Sequence, residues 1–403
     1  PVAFAMGIAA LSAFLFEGFP LLVTFQRIIS GVTVFSLLAI PFFIFAGELM
    51  LHGGIAIRLV RFATALVGHI RGGLATVNIF SSMLFGGISG SAIADISALG
   101  SILIPVMKEK GYRADYAVNV TVTSSIAGIV IPPSHNMIIY AVAAGGGLSI
   151  SKLFLAGVVP GMLMCVCLAI AAYFLAIKHK YPAQAFPGWR TVAITAASAI
   201  PGFITAVIIV GGVLSGIFTV TESGAFGALY ALIITAVVYR SLSWSEFVTA
   251  VTSAVRTTAM VMILIGCASA FAYLLAFYQV PAHLSALLVT ISENPLVILL
   301  MVNVMLLLLG MIMDMAALIL ICTPIFLPIA TGIGMDPVQF GIMMLMNLGL
   351  GLCTPPVGTC LFVGCAVGKI PIEDALKSIW PFYLAILFAL ILVTYIPAFS
   401  MTL

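Results

Sequence analysis

Apolar residues run through this chain in long unbroken blocks, with polar residues falling between the blocks rather than alternating within them. Up to residue 177 the blocks cover about 1–16, 30–51, 54–70, 72–88, 92–107, 114–130, 136–147 and 153–177. After a polar linker, KHKYPAQAFPGWR (178–190), they cover about 191–213, 219–239, 247–278, 282–292, 295–312, 315–331, 337–352, 357–367 and 375–398. Many reach the ~20 residues a helix needs to cross hydrocarbon. Membrane barrels alternate with a period of two, so continuous runs argue against one. The pattern predicts an all-α polytopic membrane protein.

The blocks contain a repeat. IPVMKEKGYRADYAVNVTVTSSIAGIVIPP (104–133) and LPIATGIGMDPVQFGIMMLMNLGLGLCTPP (327–356) share three landmarks at a constant offset. Pro105/Pro328, Gly111/Gly334 and Pro132/Pro355 are each separated by 223 positions (328−105, 334−111, 355−132). An apolar hairpin precedes each block, and each hairpin carries an acid, Asp95 in the first and Asp314 in the second, both expected to be buried. The pattern predicts hairpins at 72–107 and 295–331 and broken helices at 114–147 and 337–367. GGISGS (86–91) is the expected first turn.

Charge placement sets the topology. Arg71 flanks the first hairpin on one side and Lys108, Lys110 and Arg113 flank it on the other, so both ends favour the cytoplasm. Around the second hairpin no Lys or Arg occurs between Arg256 and Lys369, and the flanking charges are Glu293 and Asp336, so that hairpin opens outward. Matching units of opposite orientation are an inverted repeat, with binding sites near the midplane. Lys178, Lys180, Arg190, Lys369 and Lys377 suit the cytoplasm, while Arg58, Arg61 and Arg256 mark amphipathic or interfacial arms. The expected organisation is first-repeat scaffold and arms at 1–70, first-repeat transport elements at 71–177 and a cytoplasmic linker at 178–190. Second-repeat scaffold and arms then occupy 191–294, and second-repeat transport elements 295–403.

Composition narrows the function. Of the 403 residues 63% are hydrophobic and 7% charged, against roughly 25% charged in soluble domains. The net charge of +3 includes no basic run suited to nucleic acid. Seven cysteines in apolar segments lack zinc-type spacing and read as small core residues. His52, His69, His179 and His283 read as interfacial. There is no nucleotide-binding or metalloprotease motif, so transport would draw on an ion gradient.

The chemistry-bearing residues cluster at the breaks and tips. Two prolines in a row stop a helix near Val130–Pro133, with a restart near Asn136. Non-helical backbone survives at membrane depth only where protein buries it or it lines a polar cavity. The freed carbonyls, with Ser124, Ser125, Ser134 and Asn136, offer hard oxygen ligands to a small cation. The second break offers Thr354 and Thr359 beside Gly351 and Gly358. Ser89, Gly90 and Ser91 at the first tip allow close backbone approach and begin a half-helix whose N-terminus favours an anion. Gly310 to Met315 forms the second tip, around Asp314. Asp95 and Asp314 could also simply cap their half-helices. A different chemistry starts from Gly87-Ile88-Ser89-Gly90, in which Ser89 and His135 would form an intramembrane serine-protease dyad. That reading leaves the second repeat unexplained.

IPFFIFAGELM (40–50), GGISGSAIADISALGSILIPVMKEKGY (86–112), IPPSHNMIIYA (131–141) and NLGLGLCTPPVGTCLFV (347–363) resemble the large membrane subunit of TRAP transporters, tripartite ATP-independent periplasmic importers of the prokaryotic inner membrane. The resemblance implies an elevator-type ion-transporter fold and Na⁺-coupled import. It also implies a small four-helix membrane subunit and a soluble periplasmic binding protein that delivers the cargo. In some members the small subunit is fused ahead of the large one, in keeping with a chain that begins mid-helix at Pro1. One Na⁺ site is expected between Ser89, Gly90, Ser91 and Asp95 of the first tip and Pro132 to Asn136 of the first break. A second is expected between Gly310 to Asp314 and Thr354, Gly358 and Thr359. Substrate would meet Ser89, Ser134, His135 and Asp314. An acid facing an anionic cargo must accept from hydroxyl or amide groups, which favours sialic acid over C4-dicarboxylates and other sugar acids or 2-oxo acids. A stand-alone Na⁺-coupled anion carrier is the alternative within transport.

Overall fold

The computed structural model describes residues 2–183 and 185–402, with the side chains of 87–89 left out. Every regular element among the described residues is helical. Among the described residues six helices are long and apolar enough to cross a membrane, or up to eight if each bent pair counts as one span.

The first half begins with α1 (Val2–Phe16), α2 (Leu21–Val32), α3 (Ala39–His52) and the amphipathic α4 (Ile55–Val67). The first hairpin follows as α5 (Gly73–Ser89), α6 (Ala92–Asp95), a π-helical turn (Ile96–Gly100) and α7 (Ser101–Glu109). The first broken helix comprises α8 (Ala114–Ser124), α9 (Ala127–Val130) and α10 (His135–Ala143), bent by 53° at the break. The long α11 (Ile150–Lys178) closes this half.

The second half has α12 (Trp189–Ala206), α13 (Gly212–Leu214), α14 (Val220–Ile233), α15 (Trp244–Phe277) and α16 (Val280–Ile291). Its hairpin is α17 (Pro295–Gly310) and α18 (Met315–Gly332), and its broken helix is α19 (Pro337–Leu352) and α20 (Thr359–Gly368). α21 (Ile372–Ser378), α22 (Trp380–Tyr395) and α23 (Ala398–Met401) complete the chain. Local signals fix many of these starts. Thr219/Glu222 and Ser243/Glu246 form reciprocal capping boxes, and Pro295 and Pro337 occupy first-turn positions where no donor is lost.

Burial separates the central helices from the peripheral ones. Every residue from Asp115 to Ser124 and from Val338 to Leu352 is buried, so the broken helices form the centre. α12 and α14 bury far less and turn apolar faces outward. α3 packs with α14 and α15, and α15 with α1, α2 and α18 of the second hairpin, while α5 of the first hairpin packs with α11 and the broken helices pack with α11 and α22. The cysteines are free and, apart from the half-buried Cys167, buried, as core residues should be.

Cross-chain hydrogen bonds define the two ends of the molecule. Lys108 Nζ donates to Gly368 O at 2.9 Å, Ser378 Oγ to Asp115 at 2.8 Å, and Arg113 N–H to the Tyr181 hydroxyl at 3.2 Å. Gly72 N–H donates to Pro182 O at 3.4 Å, and Ser241 Oγ donates to Gly53 O at 2.6 Å. The contacts of Lys108, Ser378, Arg113 and Gly72 gather Arg71, Lys108, Arg113, Lys180, Lys369 and Lys377 toward one end, whose positive charge suits the cytoplasm. At the other end the Tyr140 hydroxyl donates to Pro337 O at 2.6 Å, and Tyr395 to Leu296 O at 3.0 Å. The first hairpin therefore opens to the basic end and the second to the opposite end. Arg58 lies over the Tyr239 ring, 3.7 Å from its centroid.

Two expectations need correction. The first turn is tighter than GGISGS, because α5 continues to Ser89 and only Gly90, with φ +61°, reverses the chain. Asp95 and Asp314 are also not counterparts. Ser91 caps α6 and Asp314 caps α18, and 314−91 gives the repeat offset of 223.

Each hairpin lies backbone to backbone on its broken helix. A Cβ on Gly86 would come within 2.5 Å of Gly128 Cα, and one on Gly351 within 2.6 Å of the Gly310 carbonyl carbon. Gly351→Ala is expected to lower the thermal unfolding midpoint of the purified protein, an overpacking penalty of about 1–3 kcal/mol. Gly332→Ala, where a Cβ meets nothing within 4 Å, should leave the midpoint unchanged.

Candidate functional site

Each break is a short piece of irregular backbone placed against a hairpin tip. At the first, α9 ends at Val130, Pro132–Pro133 is a cis bond, and α10 restarts at His135, one residue earlier than expected. Asn136 Nδ2 donates to Gly90 O at 3.2 Å, tying the break to the tip. Gly90 is wedged so closely that an added Cβ would lie 3.0 Å from His135 Nδ1 and 3.4 Å from Pro133 O. Ser134 is fully buried, and its Oγ has no hydrogen-bond partner, which leaves an oxygen free at the break. The side chain of Ser89, expected at both the substrate and the first Na⁺ site, lies outside the described residues.

The second break repeats the construction with different atoms. Val357 N–H donates to Met311 O at 3.0 Å, so tip and break again share a hydrogen bond. Pro355–Pro356 is cis, and Gly358 (φ +51°) precedes α20. Thr354 Oγ1 donates to Leu350 O at 2.8 Å, whereas the Thr359 hydroxyl has no partner. Behind the break Asn347 Nδ2 donates to Asn303 O and Oδ1 at 2.9 and 2.8 Å, leaving its own Oδ1 unsatisfied.

Asp314 is exposed rather than buried, correcting the sequence expectation; its Oδ2 accepts from Ala316 N–H at 3.1 Å, an ordinary N-cap. Asp95 is buried, 1% exposed, and neither of its carboxylate oxygens has a hydrogen-bond partner.

A cavity of about 460 Å³ lies between the first tip and the α3–α15 wall. Phe85, Ser91, Ile93, Ala94 and Ser97 of the hairpin, with His135 of the break, form one side. On the wall, Ser253 Oγ donates to Glu48 Oε1 at 2.6 Å, His52 Nε2 lies 3.5 Å from Glu48 Oε2, and Thr257 completes the polar face. The volume falls within the ~300–1,000 Å³ range of small-molecule sites. A second cavity of about 280 Å³ shares Leu51, His52 and Ser97 with it and continues past Ser101. Ser101 leads along α7 toward Lys108, so the pair points to the basic end.

His52 is therefore a cavity residue, not merely an interfacial one. Glu48 also escaped the sequence reading, although it is one of 12 acids in the chain and sits in an apolar helix like Asp95. The donation from Ser253 across 205 positions had no local sequence signal.

Opposed hairpins clamped on broken helices define a secondary-transporter permease. The family model for the DctM component of the tripartite ATP-independent periplasmic transporters matches residues 1–399, and the chain belongs to that family. It is 40% identical to the large permease protein SiaM of the sialic acid TRAP transporter of Vibrio cholerae, over 94% of this chain and 88% of SiaM. It is 41% identical to the C4-dicarboxylate large permease DctM of Pseudomonas aeruginosa, over 92% of this chain and 86% of DctM. The fold is similar to that of the Alcanivorax borkumensis YdaH transporter, with TM-score 0.68 at 12% identity over 92% of this chain and 87% of that one. The chain is thus a multi-pass permease of the bacterial inner membrane and not an enzyme, and the Ser89/His135 protease reading falls.

Asn136→Ala is expected to release the first tip. Loss of a hydrogen bond of about 0.5–1.5 kcal/mol should speed amide exchange around Gly90 by about 2- to 10-fold. Exchange mass spectrometry would detect this, with the second tip unchanged.

Proposed function

We propose that this permease imports a hydroxylated organic acid by Na⁺-coupled elevator motion, with both hairpins and both broken helices moving as one body against the α3–α15 side. It would work with a small four-helix membrane subunit and receive cargo from a soluble periplasmic binding protein. The tripartite character of the family supports these partners. The observation that carries the reading is the cavity between the first tip and the α3–α15 wall, with its extension toward the basic end. It suits an inward-facing permease at the point of release.

Two Na⁺ ions are assigned to the tip–break contacts. The first would use Gly90, Ser91, Pro132, Ser134 and Asn136, with Ser89 at the same tip. The second would use Gly310, Asp314, Thr354, Gly358 and Thr359. The orphaned oxygens of Ser134 and Thr359 support this assignment, because a buried hydroxyl without a partner is costly unless something occupies it. The oxygen donors suit a hard cation. Thr359 is the stronger candidate of the two threonines, since Thr354 already donates to its own helix.

Substrate would contact Ser89, Ser134 and His135 at the first tip, with Asp314 presented by the second. His135 and the polar wall at Glu48 and Ser253 favour a cargo with several hydroxyl groups. Relatives named for sialic acid and for C4-dicarboxylates stand at 40% and 41% identity, so the preference for sialic acid rests on this polar lining alone.

Uptake of radiolabelled sialic acid into proteoliposomes holding the permease and its small subunit tests this reading. The expected result is uptake that requires both an inward Na⁺ gradient and the binding protein. Uptake without the binding protein would favour a stand-alone carrier, and failure with sialic acid alongside success with a dicarboxylate would move the cargo. Ser134→Ala should abolish uptake by a protein that still inserts in the membrane. Thr359→Ala should raise the half-saturating Na⁺ concentration more than Thr354→Ala; unchanged Na⁺ curves for both would remove the second site.

A further inference from the structure

We propose that Glu48 is a fixed release charge. It is a carboxylate on the stationary α3–α15 wall that an anionic cargo meets only when the hairpins stand at the cytoplasmic end, and it shortens the cargo's stay there. The inference rests on the elevator reading above and adds to it what the wall does.

Glu48 is the sole acid of α3, an otherwise apolar helix that ends at His52. A charge at membrane depth is costly and is retained where it faces a cavity or a partner. Glu48 lines the cavity of about 460 Å³ that Ser91 and His135 line from the hairpin and break. The ion pairs among the described residues are Glu48–His52, Arg113–Asp115 and Lys377–Asp374, so no Lys or Arg neutralises it. Ser253 Oγ donates to Glu48 Oε1 at 2.6 Å and pins the side chain from α15. His52 Nε2, 3.5 Å from Oε2, lies beyond the roughly 2.7–3.2 Å of an N–H···O hydrogen bond. Joining α3 to α15 through Ser253 needs only an acceptor, which a neutral amide would supply. The charge asks for another purpose.

The opposite end of the molecule has no such charge. A cavity of about 270 Å³ lies there between the second hairpin and the wall, beside the end of α10. Its Val34 and Leu320 stand 223 positions from Thr257 and Ser97 of the first cavity (257−34, 320−97), the repeat offset. Gly31, Val34, Ile265, Ala268, Ser269 and Ala272 form its wall, and no charged side chain lines it. An acid entering from outside would therefore pass a neutral wall and arrive opposite a carboxylate. A round cavity of the first one's volume is roughly 10 Å across. Like charges that far apart, at an effective dielectric of about 20, weaken binding on the order of 10-fold. Cargo hydroxyls can still bond to this wall, so contacts select the acid while the charge limits its stay. Because the wall does not travel with the cargo, the penalty applies to one state only.

Trans-inhibition in proteoliposomes holding the permease and its small subunit tests the proposal. Unlabelled sialic acid is loaded inside, and radiolabelled sialic acid is delivered from outside by the binding protein. Delivery selects permeases whose periplasmic face points out, so the lumen stands for the cytoplasm. The assay runs at about pH 8, where an ordinary imidazole is uncharged. If a dicarboxylate is the transported acid, it replaces sialic acid in the same assay. E48Q, which keeps an acceptor for Ser253, is expected to lower the internal concentration that halves uptake by ~10-fold. The half-saturating external concentration of loaded binding protein and the thermal unfolding midpoint should stay at wild-type values. An unchanged internal value in E48Q, or a lowered midpoint with equal shifts on both sides, would overturn the release role while uptake itself keeps the elevator reading. Absence of uptake of every acid by wild type would remove both. If E48Q does not fold, H52K carries the test. Its fixed positive charge beside Glu48 should produce the same inward shift, and a wild-type value would overturn the inference.

Discussion

The structure depends on a single constraint: a helix interrupted in the middle of a membrane must have its exposed backbone paired by protein. Two cis Pro–Pro breaks create that need, and two hairpin tips meet it. Asn136 reaches Gly90 at the first, and Val357 reaches Met311 at the second. The same contacts explain the glycines. Gly86 lies on Gly128 and Gly310 on Gly351, at offsets of 224 (310−86) and 223 (351−128), because no side chain fits between backbones this close. Tip and break are consequently one unit in each half.

Opposite polarity then follows from where each unit opens. The first hairpin, the linker and the short α21 meet at the basic end through Lys108, Arg113, Asp115 and Ser378. The second hairpin meets α10 and α22 at the other end through Tyr140 and Tyr395. Pseudosymmetry does not extend to every polar group. Ser124 and Asn347 occupy equivalent positions (347−124 is 223), yet the first pairs with Ser82 of α5 and the second with Asn303. The cavity is equally one-sided, since it lies at the first tip while Asp314 of the second is exposed.

Much of this was legible in the sequence because it rests on local rules. Consecutive prolines stop helices, like charges flank a hairpin that returns to its own side, and the 223-residue offset aligns the halves. The four motif stretches carried the family as well. What escaped was long-range pairing. Nothing near Glu48 announces Ser253, and nothing near Asn347 announces Asn303. Asp314 misled for a physical reason: an acid in an apolar run looks buried, but at a helix start it can cap the first turn and stay exposed. Asp95, in a similar run, sits within its helical limb, where capping is unavailable and burial remains.

The central claim, that hairpins and broken helices travel together past the α3–α15 side, is most directly tested by spin-label distances in liposomes. Labels at the exposed Ile93 on the first hairpin and Trp244 at the start of α15 would report relative motion on a cysteine-free background. A second pair, Ile93 and the exposed Leu300 on α17 of the second hairpin, reports within the moving body. The account predicts two distance populations for the first pair, in a ratio that changes with Na⁺ and substrate, and one constant distance for the second. A single unchanging distance for Ile93–Trp244 under all conditions would contradict it.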